Sequence, residues 1–157
     1  MTRRTFLGLV SAMTLSHAAF GDEKTTTKDR DSMKITLEVG DKALTATLID
    51  SKTAHDFVSL LPLTLTMNDL FGREKFAHLP RAISTEGKRT HTYEVGDIAY
   101  WSPGPDVAIY YRADGERIPN PGIIVIGKLD SGVEPFNVPA SVDVKITAAN
   151  EAAESRR

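Results

Sequence analysis

Between Lys34 and Leu48 apolar and polar side chains take turns. Ile35, Leu37 and Val39 alternate with Lys34, Thr36 and Glu38, and after Gly40-Asp41 the beat returns at Leu44, Ala46 and Leu48. A period of two sends successive side chains to opposite faces of an extended chain, so this stretch predicts a hairpin wet on one face. The same beat recurs as Leu61, Leu63, Leu65 and Met67 against threonines, in the runs 97–101, 107–112 and 123–129, and as Val142, Val144 and Ile146. It gives way to a helical period once, where Ala54, Phe57, Val58 and Leu61 stand at i, i+3, i+4 and i+7. That spacing predicts a helix over 53–60, with Thr53 and Asp56 placed to cap its first turn and Pro62 preventing its continuation. "FGREKFAHLPRAI" reads as a turn of helix followed by extended chain, and "STEGKRTHT" as a polar loop. Seven or so short strands with one or two short helices predict a mainly β fold: a closed antiparallel β-barrel in a single domain.

The barrel occupies only part of the chain. "MTRRTFLGLVSAMTLSHAAFG" carries its charge at Arg3 and Arg4, then an apolar run from Phe6 to Leu15, then small residues, which is the layout of a signal peptide over 1–21. The run is about half the roughly 20 residues a membrane-spanning helix needs, so no stable membrane anchor is expected. Thr2-Arg3-Arg4-Thr5-Phe6-Leu7 resembles a twin-arginine export signal, which implies passage through an export machinery that accepts folded chains and a periplasmic or secreted product, with cleavage after Gly21 or Ala18. "DEKTTTKDRDS", 22–32, has no apolar side chain and reads as a flexible linker; 148–157 reads as a disordered tail.

Loss of residues 1–21 would take the formal charge from −2 to −4, a balance that does not seek nucleic acid. The chain has no cysteine, which excludes disulfides, thiolate metal sites and a cysteine nucleophile, so the fold must rest on its core alone. A chain of this size buries roughly two thirds of its extended surface, which suffices without staples.

Only 7% of the chain is aromatic, yet Gly96–Tyr111, "GDIAYWSPGPDVAIYY", holds Tyr100, Trp101, Tyr110 and Tyr111. Period two puts Ile98 and Tyr100 on one face and Ala99 and Trp101 on the other, while Val107, Ile109 and Tyr111 oppose Ala108 and Tyr110. The rings therefore divide between the two sides of the sheet, and Trp101 and Tyr110 either border a cavity or pack as core and rim. Pro103-Gly104-Pro105 reads as the turn between paired strands.

The words "DSKTAHDFVSLLPLTLTMNDLFGREKFAHLPRAI", "VGDIAYWSPGPDVAIYY" and "GIIVIGKLDSG", in that order, resemble the small bacterial cyclophilin-like domain family over nearly all of 33–147. The most specific are Leu61-Pro62-Leu63, Glu74-Lys75, Leu79-Pro80 and Gly96-Asp97-Ile98-Ala99-Tyr100-Trp101. The resemblance implies a compact cyclophilin-like barrel and, through cyclophilins proper, peptidyl-prolyl isomerase activity. In that reaction an arginine beside an apolar pocket weakens the double-bond character behind a barrier of roughly 18–20 kcal/mol. The Phe-His-Arg-Val-Ile and Phe-Met-x-Gln-Gly-Asp words of cyclophilins proper are absent here, so the resemblance carries fold further than catalysis.

Such chemistry needs an arginine near bulky apolar residues. Arg81, after Leu79-Pro80, is the candidate catalytic residue; Arg73, between Phe71 and Phe76, and Arg112, after Tyr110-Tyr111, are the others. The residues expected to bind ligand are Phe71, Glu74, Phe76, Trp101 and Tyr110. Glu74 has no partner carboxylate for glycoside chemistry and reads more readily as one half of a salt bridge or a helix-end contact than as an acid-base group. His55, His78 and His91 lack metal-ligand spacing, Ser59 and Ser84 lack a nucleophile-elbow setting, and there is no glycine-rich phosphate loop, so neither metal nor cofactor is expected. The Gly- and Pro-bearing loop 112–122 is placed to cover a pocket as a lid. Together these features predict an exported barrel, a monomer or weak dimer, that binds a peptide or small ligand in a partly aromatic cavity; prolyl isomerisation is what the resemblance alone adds. The alternative is a non-catalytic binding module of the cell envelope.

Overall fold

The structure, a computed structural model, describes residues 32–149. The expected signal peptide, nearly all of the linker and all but the first two residues of the tail lie outside the described residues. Nine strands run β1 Lys34–Val39, β2 Lys42–Leu48, β3 Leu63–Leu70, β4 Glu74–His78, β5 Arg89–Thr90, β6 Asp97–Trp101, β7 Asp106–Tyr110, β8 Ile123–Leu129 and β9 Val142–Ala148. Helix α1, Lys52–Val58, follows β2, and among the described residues one 3₁₀ turn spans Glu134–Phe136.

Every pairing is antiparallel. The strands neighbour one another in the order β2-β1-β9-β3-β4-β7-β6-β8, and β8 returns to β2 through Ala46↔Leu129, Thr47↔Lys128 and Leu48↔Gly127. The result is a closed eight-stranded barrel, which leaves no free edge among those eight; β5 adds two residues to the other side of β8. The predicted alternation sets the interior: Ile35, Leu37, Met67, Ile98, Tyr100, Ile109, Ile126, Val144 and Ile146 all point inward and are essentially inaccessible. Ala54 and Phe57 of α1 join this core.

Three expectations are corrected. Helix α1 starts a residue earlier and ends two residues sooner than predicted. Its N-cap is Ser51, whose hydroxyl accepts from the Ala54 N–H at 3.2 Å. Thr53 accepts instead from the Gly87 N–H, and Asp56 from Ser84 and Arg81, so these two side chains bind the helix to the 81–87 segment. The expected helical turn after Leu70 is a three-residue turn leading into β4. β4 escaped the periodic reading because Lys75 occupies an interior position where an apolar residue is the rule. The polar loop contains β5, too short to carry a period. No helix among the described residues is long and apolar enough to cross a membrane.

A pocket on the outer face of the barrel

The outward residues of β4, β6, β7 and β8 form a second apolar cluster on the far side of the sheet from the core. At its centre two alanines face each other, Ala99 on β6 and Ala108 on β7, with Phe76 of β4 paired on the other side of Ala108. Small side chains flanked by rings leave a dip. Toward one end of β7 stands the Glu74↔Tyr110 pair, and toward the other Asp106, paired with Trp101 on β6. Four residue steps along β7 separate Tyr110 from Asp106, roughly 13 Å. The 112–122 loop folds over this strip, placing Ile118 and Pro119 as one wall. It is tied down where the Ile118 N–H donates to the His91 carbonyl at 2.9 Å and His91 Nδ1 donates to the Ile118 carbonyl at 2.8 Å. The pocket, open at its mouth, has a volume of about 200 Å³.

One end is ionic. Arg73 Nε donates to Glu74 Oε2 at 3.0 Å and Arg73 Nη1 to Asp114 Oδ2 at 3.3 Å, and the Arg73 and Glu74 side chains are only 7% and 8% exposed. The guanidinium lies 5.1 Å from the Phe71 ring centre and 5.7 Å from that of Tyr93, within cation–π range. Tyr93 in turn stacks on Tyr110 with centroids 4.1 Å apart, and Tyr110 stands directly opposite Glu74 across β7 and β4. Burial pushes the Glu74 carboxyl above the ordinary glutamate range, with Arg73 pulling it part of the way back. Burial, reinforced by the Glu74 charge, pushes the Tyr110 phenol up as well.

The turn into β4 holds Phe71 in an unusual state. Leu70 accepts from the Arg73 N–H at 3.2 Å across Phe71 and Gly72, which both have positive φ, 55° and 59°. Such a turn favours Asn-Gly, and an aromatic residue in the left-handed region costs on the order of 1–3 kcal/mol. Nothing buried repays this, since Phe71 is 73% exposed. What the strain achieves is a ring at the pocket mouth, over Arg73. Gly72 has a separate constraint, because a Cβ there would meet Arg112 Nη2 at 2.5 Å.

The other end holds Asp106, 9% exposed, whose Oδ1 is the one buried side-chain polar atom among the described residues without a hydrogen-bond partner. His78 Nδ1 approaches it at ion-pair distance but out of hydrogen-bond alignment. Burial raises the Asp106 carboxyl above the ordinary aspartate value, and His78 offsets this in part. The Pro103-Gly104-Pro105 turn cradles the carboxylate: a Cβ on Gly104 would lie 2.2 Å from its atoms.

All five residues expected to bind ligand, Phe71, Glu74, Phe76, Trp101 and Tyr110, line this one pocket. Of the three arginines, Arg73 lines it. Arg81 lies elsewhere, bonded to Asp56 and Ser59 beside α1, and Arg112 sits over Gly72. Glu74 and Lys75 do not pair with each other: consecutive on a strand, they face opposite sides of the sheet. The sequence reading missed Asp106 and Ala108 as pocket residues, although period two from Tyr110 puts both on its face. Ile118, Pro119 and Ile123 carried no such signal, because a loop brings the first two there. Among the described residues no group of three or more His, Asp or Glu could hold a metal ion.

A closed antiparallel barrel whose pocket lies on the outer face of four strands defines the class. The model of the cyclophilin-like family matches residues 37–147, and the chain belongs to that family. The fold is also that of the solution structure of the hypothetical protein AF2241 from Archaeoglobus fulgidus, which is 21% identical, with a TM-score of 0.59, covering 75% of this chain and 95% of that one. No curated protein matches the chain.

Proposed function

We propose that the protein is an exported binding module that takes a short peptide segment or a small ligand in the outer-face pocket. One observation carries this reading: an apolar recess walled by Phe76, Trp101, Tyr110, Ile118 and Pro119 keeps two nearly inaccessible carboxylates and a strained, exposed Phe71 at its borders. A purely structural surface gains nothing from such a combination, whereas a binding site uses it for orientation and contact. Trp101, the only tryptophan in the chain, provides the assay. Titration with short proline-containing and aliphatic peptides is expected to shift its emission saturably, and Ala108→Phe is expected to abolish the response. Equal responses in wild type and Ala108→Phe would remove the pocket as the site.

Prolyl isomerisation is the second reading, favoured because Arg73 is the arginine that reaches an apolar pocket bordered by Trp101 and Tyr110. Arg73 Nε and Nη1 are engaged by Glu74 and Asp114, which leaves Nη2 as the group to approach a prolyl nitrogen. A protease-coupled assay on an Ala-Pro peptide should show acceleration lost in Arg73→Ala and kept in Arg81→Ala. No acceleration by the wild type ends this reading and leaves the binding reading standing.

A further inference from the structure

We propose that the pocket selects an organic cation, an ammonium or guanidinium group on a short apolar stem, with the charged end at Asp106 and the stem over Ala108. This rests on the pocket being a binding site and names what it takes. Two carboxylates, Glu74 and Asp106, line it against one guanidinium, and Arg73 is already bonded to Glu74 and, outside the lining, to Asp114. An anionic ligand would find Arg73 occupied and the rest of the site repulsive. Asp106 is the group left over: nine-tenths buried, with Oδ1 met only by the exposed and misaligned Nδ1 of His78 opposite it on β4, on the same outward face of β7 as Ala108 and Tyr110. A buried carboxylate in that state costs free energy that an incoming N–H donor with positive charge would recover.

The surroundings suit a cation more than a neutral donor. Trp101 pairs directly with Asp106 across β6 and β7, and Phe76 lies one step further along the strip. Ring faces near a desolvated cation add about 0.5–2 kcal/mol of attraction. The ionic end already displays this chemistry, with Arg73 set between the Phe71 and Tyr93 rings. Size sharpens the class. About 200 Å³ is below the roughly 300–1,000 Å³ of drug-sized sites, and corresponds to one long side chain or one small amine. The cation can come from a lysine or arginine of a peptide or from a free amine, and the two sources are separable.

The test compares matched probes by Trp101 emission on the full chain: benzylamine against benzyl alcohol, and acetyl-Ala-Lys-Ala amide against the same peptide with norleucine. Benzylamine is expected to bind at least tenfold more tightly than benzyl alcohol, and Asp106→Asn to bring the two within twofold. A tenfold preference for the lysine peptide identifies a peptide side chain as the source; a preference confined to benzylamine identifies a free amine. Either outcome supports the proposal. If neutral and charged probes bind wild type equally, the cation inference is overturned while the pocket remains a binding site, a result that does not depend on how the variant folds. If none of the four probes binds, both readings fall.

Discussion

Glu74 and Lys75 are neighbours on β4, both nearly inaccessible, and they point to opposite sides of one sheet. Lys75, 0% exposed, enters the barrel, where its ammonium donates to Asp69 at 2.9 Å and to the Val138 and Ala140 carbonyls, while the Tyr111 hydroxyl donates to the same Asp69 oxygen at 2.6 Å. Each charge there has its partners, and the Tyr111 and Lys75 bonds hold the Asp69 carboxyl below the ordinary aspartate range. Outside, burial dominates instead, and both Glu74 and Asp106 are raised. The interior network closes one end of the barrel by tying the 138–140 segment to β4. The outer strip leaves an unpartnered oxygen, a dip at Ala108 and a strained ring. Full satisfaction marks structure, and the shortfall marks a surface prepared for something else.

Four measurements would break or sharpen that contrast. Lys75→Met removes the ammonium and leaves Asp69 and two carbonyls short of partners, so urea unfolding should show a loss of about 3 kcal/mol; a loss under ~1 kcal/mol would make the interior network dispensable. Ala108→Phe fills the pocket floor on the outer face, and should weaken any Trp101-reported ligand at least tenfold while changing stability by less than about 1 kcal/mol. Phe71→Asn should act in two directions at once: relief of the left-handed strain raises stability by about 1 kcal/mol, and loss of the ring at the mouth weakens binding several-fold. Loss of stability in Phe71→Asn would mean that the ring is structural.

The smallest effect is in pH. Because the folded protein holds the Asp106 proton more tightly than the ordinary value of 3.8, that group's favourable contribution is complete below 3.8 and lost as pH rises through its folded value. Asp69 has the opposite shift, so its contribution exists above 3.8 and is lost as pH falls through its lower folded value. Urea midpoints from pH 3 to 7 should therefore show Asp106→Asn gaining on wild type as pH rises and Asp69→Asn losing, each by on the order of 1 kcal/mol or less. Slopes of the same sign would contradict the contrast.

The alternation in β1, β2, β3 and β9 was legible because each has one greasy face, and β6, β7 and β8, buried on both faces, were legible as short extended runs bounded by Gly and Pro turns. β4 was not, since Lys75 is made compatible with the interior by Asp69 together with carbonyls at 138 and 140, more than sixty residues away. The rings of the pocket were legible in part for a related reason: Phe71, Phe76, Trp101 and Tyr110 are large, and alternation separates Trp101 from Tyr100 and Tyr110 from Tyr111, though not which face is the core. Which arginine joins them was not legible. Arg73 and Arg81 both stand beside apolar residues, and the choice falls to Glu74 and Asp114 in one case and Asp56 in the other.

The chain's own order of residues thus determined the number and faces of most strands, the turn at Pro103-Gly104-Pro105 and the rings available to the outer side, because these depend on periods and backbone preferences that neighbours in sequence set. Closure of β8 onto β2, the burial of Lys75, the burial of Asp106 beside a misaligned His78 and the wall at Ile118 and Pro119 were decided only by the tertiary structure. Each depends on which distant groups arrive to satisfy, or leave unsatisfied, a polar atom removed from water.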